Sequence, residues 1–165
     1  MRLPNPFLVV LLAIWPAAAA LAQIPNEPAR DNLRAEFLAR TYEDVRVSLA
    51  DWTAAINGGD PKRIKTLVVP DLFLGPLEGW LAHGPEAVDS ATTYFRRMAA
   101  YRATPLDFDA SGSIAYLYAS VVYQYTTPKG RDYREVDAII VLNQRGDVWK
   151  IRSYVEKARP AGPSP

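Results

Sequence analysis

The run Val136-Asp137-Ala138-Ile139-Ile140-Val141-Leu142 constrains the fold more than any other stretch of the chain. Residues of both parities are apolar there, and a strand of that kind needs cover on both faces. One face must meet helices and the other a partner. The run returns through Asn143-Gln144-Arg145-Gly146-Asp147 into Val148 to Val155, where Trp149, Ile151, Ser153 and Val155 alternate with Lys150 and Arg152. Strict alternation turns the Trp149 side inward, Ser153 included.

Upstream the period is helical. From Asp31, read as an N-cap, apolar residues recur at Leu33, Phe37, Val45, Leu49, Trp52 and Ile56 and trace one face of a long helix. Asn57-Gly58-Gly59 supplies the left-handed residues that end a helix, and Asp60-Pro61 opens a short one from Lys62 to Val68. Asp71 to Leu74 and Gly79 to Ala82 are short strand candidates. Gly84-Pro85-Glu86 opens a third helix running to about Arg102, with Val88, Ala91, Phe95 and Met98 on its buried stripe. Pro105 to Ala110 and Ile114 to Thr126 are strands joined by a Ser111-Gly112 turn, and Thr127-Pro128-Lys129-Gly130 leads into the final hairpin. Helices first and antiparallel strands after is an α+β order. Three helices cannot cover both faces of a twisted sheet, so they are expected in its concave face. The result is a cone-shaped roll with an open end, which makes a natural pocket.

The first residues read differently. Arg2 precedes an apolar run from Phe7 to Leu21, and Ala20-Leu21-Ala22 forms a small-x-small pattern before Gln23. That is the pattern of a secretory signal peptide over residues 1–22, cleaved after Ala22, rather than of a membrane span, which needs about 20 apolar residues. Residues 23–30, with Pro25 and Pro28, read as a linker, residues 31–158 as the domain, and residues 159–165 as a disordered tail. Loss of residues 1–22 removes one basic side chain and no acid, leaving 18 of each sign in 143 residues. A neutral chain with interspersed charges has no face for a nucleic acid. With no cysteine, an exported chain holds together by burial alone, and it carries no lipidation box. The expected location is therefore periplasmic or secreted, with no membrane attachment after cleavage.

The order of elements, with Trp52, Asn57-Gly58-Gly59-Asp60, Gly84-Pro85-Glu86-Ala87, Ala115, Gly146 and Trp149-Lys150-Ile151, resembles the SnoaL-like (polyketide cyclase) group of the nuclear transport factor 2-like superfamily over Phe37 to Val155. The resemblance implies a cystatin-like cone. It says little about activity, because such folds host unrelated chemistry. Ketosteroid isomerases of this superfamily place an aspartate general base before a proline in the strand after the second helix. The matching position here is Gly75, ahead of Pro76, so that base is missing. Their oxyanion-hole tyrosine falls at Trp52. The last-strand histidine of many members falls at Ser153.

Candidate site residues follow from residue chemistry. Asp137 interrupts an apolar strand, where burial without a partner would raise its pKa and suit it to general acid or base work. Pairing with Arg134, Arg152 or a cross-sheet tyrosine is the structural alternative. Glu135 is read as facing the opposite side. His83, the sole histidine, precedes the third helix and is the second catalytic candidate, or a loop anchor. With one histidine and no cysteine, a zinc site is not expected, and no cofactor motif is present. In the long strand, Ala115, Leu117, Ala119 and Val121 should face the helices. Tyr123 and Tyr125 then reach the pocket, and Tyr116 and Tyr118 lie on the outer face, as at an interface. The expectation is an exported domain that binds a small, largely apolar molecule through Trp52, Tyr123, Tyr125 and Ser153 and forms a homodimer through its sheet face. The alternatives are an isomerase, cyclase or hydrolase using Asp137 or His83, and an assembly subunit. A filled cone would favour the subunit, and converging polar groups the enzyme.

Overall fold

The structure is a computed structural model that describes residues 27–159. Three helices come first: α1 (Glu27–Asn57), α2 (Pro61–Leu67) and, after two short strands, α3 (Pro85–Arg96). The strands are β1 (Val68–Gly75), β2 (Ala82–His83), β3 (Met98–Ser111), β4 (Ile114–Thr127), β5 (Gly130–Arg145) and β6 (Val148–Ala158). They form one six-stranded sheet in the order β2-β1-β6-β5-β4-β3, antiparallel except where β1 runs parallel to β6. The expected α+β roll is what forms, with helices on one face of a curved sheet.

The junctions follow the local chemistry. α1 closes on Gly58 and Gly59, the latter at φ +60, where a left-handed conformation favours glycine. The Asp60 carboxylate then accepts from the backbone N–H groups of Lys62 and Arg63, both at 3.0 Å, and Pro61 fills the first position of α2.

Several boundaries differ from those read in the sequence, and β1, expected at 71–74, extends over Val68–Gly75. α1 starts at Glu27, so Asp31 lies inside it and part of the expected linker is helical. Its buried stripe is Val45, Leu49, Trp52 and Ile56, whereas Leu33 and Phe37 are exposed. α3 ends at Arg96 rather than near Arg102, and Met98 onward is strand. Early in β3, Ala100 takes a φ of +51, costly for a residue other than glycine, where the pairing with β4 shifts register. The second short strand is Ala82–His83 rather than 79–82. The expected signal peptide (1–22) and most of the tail (160–165) lie outside the described residues.

β4 alternates as expected. Ala115, Leu117, Ala119, Val121, Tyr123 and Tyr125 are buried against the helices, Tyr116 is exposed and Tyr118 half-buried on the outer face, and the β4–β5 register runs without a bulge. β6 breaks the expected alternation. Leu142 pairs with Ile151 but Val141 pairs with Ser153, so Arg152 is an extra residue on β6. Trp149 and Ile151 face inward as read, but beyond the bulge the parity inverts. Ser153 turns to the outer side, and Tyr154 and Glu156 turn in.

Candidate functional site

The inverted half of β6 sets a carboxylate inside the cone. Glu156 is 7% exposed. Its Oε2 accepts from the Tyr94 hydroxyl at 2.8 Å, the Tyr123 hydroxyl at 3.1 Å and the Leu77 backbone N–H at 3.1 Å; its Oε1 accepts from the Tyr154 hydroxyl at 2.8 Å. Four donors satisfy the carboxylate without a cation, which is how a buried charge is tolerated. α3 supplies Tyr94, β4 supplies Tyr123, and the segment after β1 supplies Leu77. Burial first, and then the Glu156 charge, hold the phenols of Tyr94 and Tyr123 well above the ordinary tyrosine range. Burial does the same for Tyr154 and Tyr101.

Aromatic rings occupy the rest of the interior. Trp52 meets Phe95 edge-on at 4.7 Å, Phe95 meets Tyr154 at 5.0 Å, and Tyr101 lies parallel to Tyr123 at 6.5 Å. Tyr101 is aimed inward by the β3 irregularity at Ala100, and Asn57 clamps it: the Asn57 amide donates to the Tyr101 carbonyl at 3.0 Å and accepts from its N–H at 2.7 Å. The Tyr101 hydroxyl and the Trp52 indole N–H lie near each other without making a hydrogen bond.

Of the expected ligand residues, Trp52 and Tyr123 therefore meet in a packed core, not in an open chamber. Ser153 is a correction: the bulge at Arg152 puts it across the sheet, beside Phe73 of β1. A Cβ at Gly75 would meet Leu81 at 3.0 Å and Val155 at 3.5 Å, on the side away from Glu156, so an aspartate there would not enter the cone. Tyr125 is 1% exposed, with Arg97 and Arg134 against its ring.

Both catalytic candidates fall elsewhere. Asp137 is on the outer face, where it accepts from the Tyr118 hydroxyl at 2.8 Å and from Arg159 at 2.9 Å. Those bonds, Tyr118 first, hold its carboxyl below the usual aspartate range, the reverse of the raised value expected of a buried acid. Glu135, expected to face away, shares that face and also pairs with Arg159, since residues two apart on a strand point the same way. His83 is exposed on β2 beside an open groove with Asp71, Arg145 and Lys150. Neither reaches the interior.

The mouth of the cone holds a cleft of about 360 Å³ between α3 and the β1–β2 connection, lined by Glu78, Trp80, Tyr94 and Arg97 among others. Trp80 stands edge-on to Tyr94 at 5.9 Å and donates its indole N–H to Glu78 at 3.2 Å. Partial burial pushes the Glu78 carboxyl up, but the nearby Tyr125 hydroxyl, the Trp80 N–H and the charges of Arg97 and Arg134 more than reverse this and leave it below its ordinary value. Behind Glu78, the Tyr125 hydroxyl makes no hydrogen bond, and its pKa is pushed up to about 12 by burial and by Glu78. The guanidinium carbons of Arg97 and Arg134 lie 4.3 Å and 4.7 Å from the Tyr125 ring centroid. Sequence reasoning missed Glu156, Tyr94, Tyr154, Glu78 and Arg97. The bulge leaves successive inward residues three positions apart, Ile151 and then Tyr154.

No family model matches the chain, and no curated protein matches it. Solved structures do. An NTF2-like family protein from Streptomyces avermitilis superposes with a TM-score of 0.66 at 15% identity, covering 75% of this chain and 99% of that one. An NTF2-like protein with a cystatin-like fold from Novosphingobium aromaticivorans gives 0.60 at 15% identity, over 86% of this chain and 94% of its own. The CaMKII hub of S. rosetta gives 0.58 at 17%, over 71% and 95%. At these identities the likeness is one of fold alone: the chain has the cystatin-like fold that these NTF2-like structures share.

Proposed function

We propose that this chain is a binding domain of the SnoaL-like kind whose ligand, a small molecule with an apolar body, occupies the cleft at the mouth of the cone. One observation carries this reading. The Tyr125 hydroxyl, in a residue 1% exposed, has no partner at hydrogen-bond distance and lies buried close to Glu78, which lines the cleft. A buried hydroxyl without a partner costs about 1–3 kcal/mol, which a ligand atom or a bridging water relieves. The volume lies in the range of small-molecule sites, about 300–1,000 Å³. The rings of Trp80 and Tyr94 supply the apolar wall. Catalysis is not part of the reading, since Glu156 is saturated by donors and closed off by aromatic rings.

The same reading makes the domain exported, released after Ala22 to the periplasm or exterior. It also makes it a homodimer through the outer sheet face, where Ile114, Tyr116 and Ile139 are exposed in an apolar patch. Hub-type neighbours with this fold are compatible with such pairing. Native mass spectrometry of protein purified from its host tests these points together. A chain beginning at Gln23, a dimeric mass and a retained small molecule that Trp80→Ala loses are the expected results. Retention undiminished in Trp80→Ala would remove the mouth cleft as the site.

A further inference from the structure

Resting on that reading, the charges of the cleft specify its ligand, and we infer that the mouth of the cone recognises a small zwitterion: an ammonium and a carboxylate on neighbouring carbons, bearing an apolar or aromatic substituent, as in a free hydrophobic amino acid.

The inference comes from which charges on the cleft wall are already taken. Asp89 is held by Lys65 at 2.7 Å. Arg134, behind the Tyr125 ring, has Asp132 at 3.5 Å. That leaves Glu78 and Arg97. They line the same cleft, and neither has an ion-pair partner within 4.0 Å among the described residues, not even the other. Each is fixed by an aromatic group instead, Glu78 by the Trp80 N–H at 3.2 Å and Arg97 by the Tyr125 ring at 4.3 Å. Opposite charges that are held apart rather than allowed to collapse onto each other form a preorganised dipole.

A purely anionic ligand would satisfy Arg97 and meet Glu78 with like charge, and a purely cationic one would do the reverse. A dipolar ligand meets both walls with opposite charge, which is the complementarity that gives specificity. Its carboxylate takes the Arg97 guanidinium, a fork suited to bidentate contact. Its ammonium takes Glu78 and the face of Trp80, the ring best suited to a cation. The corner between Trp80 and Tyr94 receives the substituent.

Isothermal titration with L-phenylalanine, L-phenylalaninamide and N-acetyl-L-phenylalanine separates the two charges, with benzyl alcohol as an uncharged probe. The amino acid is expected to bind about tenfold or more tightly than either blocked form, the loss typical of one charged hydrogen bond. Arg97→Gln should abolish the preference over the amide alone, and Glu78→Gln the preference over the acetylated form alone. Both side chains are exposed, and unchanged melting temperatures confirm that the variants fold. Equal affinity for all three forms, or preferences that survive both substitutions, overturns the charge-pair recognition. If benzyl alcohol binds in a Trp80-dependent way while the three charged probes do not, the zwitterion falls and the mouth cleft stands. If none of the four binds at millimolar concentration, the cleft falls as well.

Discussion

Glu156 and Asp137 lie on neighbouring strands, one step apart in register, since Asp137 pairs with Lys157, and they point to opposite faces of the sheet. Inside, Glu156 is held by three phenols and one backbone N–H. Outside, Asp137 is held by a phenol and a guanidinium in contact with water. The difference teaches that position in the sheet, not residue type, decides what a carboxylate does here. The interior acid is a structural keystone for the aromatic core, while the exterior one is a replaceable surface pair. This also explains why ligand binding is assigned to the rim: aromatic rings fill the interior, and the donors around Glu156 are engaged on its carboxylate.

The largest effect that would break this contrast is loss of the keystone. Glu156→Ala strands three tyrosine hydroxyls and the Leu77 N–H, each worth about 1–3 kcal/mol when buried and unsatisfied, for an expected total of about 5 kcal/mol. Urea denaturation measures it, and a loss below about 1 kcal/mol would mean that the carboxylate is not holding the cage. Smaller is Tyr154→Phe, which removes one donor to Oε1 and keeps the ring against Phe95, for an expected cost of about 1 kcal/mol. A cost equal to that of Glu156→Ala would show the cage to be a single cooperative unit rather than four separable bonds.

The smallest effect belongs to Asp137→Asn, a surface pair whose contribution water screens. Because the folded-state pKa of Asp137 is lowered relative to the unfolded chain, its contribution is present above the ordinary aspartate value of about 3.9 and fades as pH falls through the folded value. Melting curves of wild type and Asp137→Asn should therefore differ slightly at neutral pH and converge below about pH 4. A gap that widened on acidification would have the wrong sign.

Much of the fold is legible in the chain. The period-two pattern of β4 correctly separates Tyr123 and Tyr125 from Tyr116 and Tyr118, because no bulge interrupts it. Asp60-Pro61 and Gly58-Gly59 mark their helix ends through local chemistry that tertiary contacts do not override. The site was less legible for two reasons. An inserted residue at Arg152 carries no composition of its own, yet it inverts every position after it, exchanging Ser153 for Tyr154 and Glu156. The stretch from Met98 to Tyr101 continues a helical pattern until Ala100 adopts a positive φ, a conformation set by the clamp between Asn57 and Tyr101 across the fold. Glu78 and Arg97 looked like ordinary loop and helix-end charges because only the folded chain brings them to one cleft.

The indole N–H resonances of Trp52 and Trp80, followed while small aromatic acids, amines and amino acids are added, distinguish binding at the rim from binding in the core. Trp80 stands at the mouth and Trp52 in the packed interior. Binding is expected to shift the Trp80 indole and leave the Trp52 indole in place. A saturable shift of Trp52 with Trp80 unmoved would show that ligands enter the cone itself, and would contradict the closed interior.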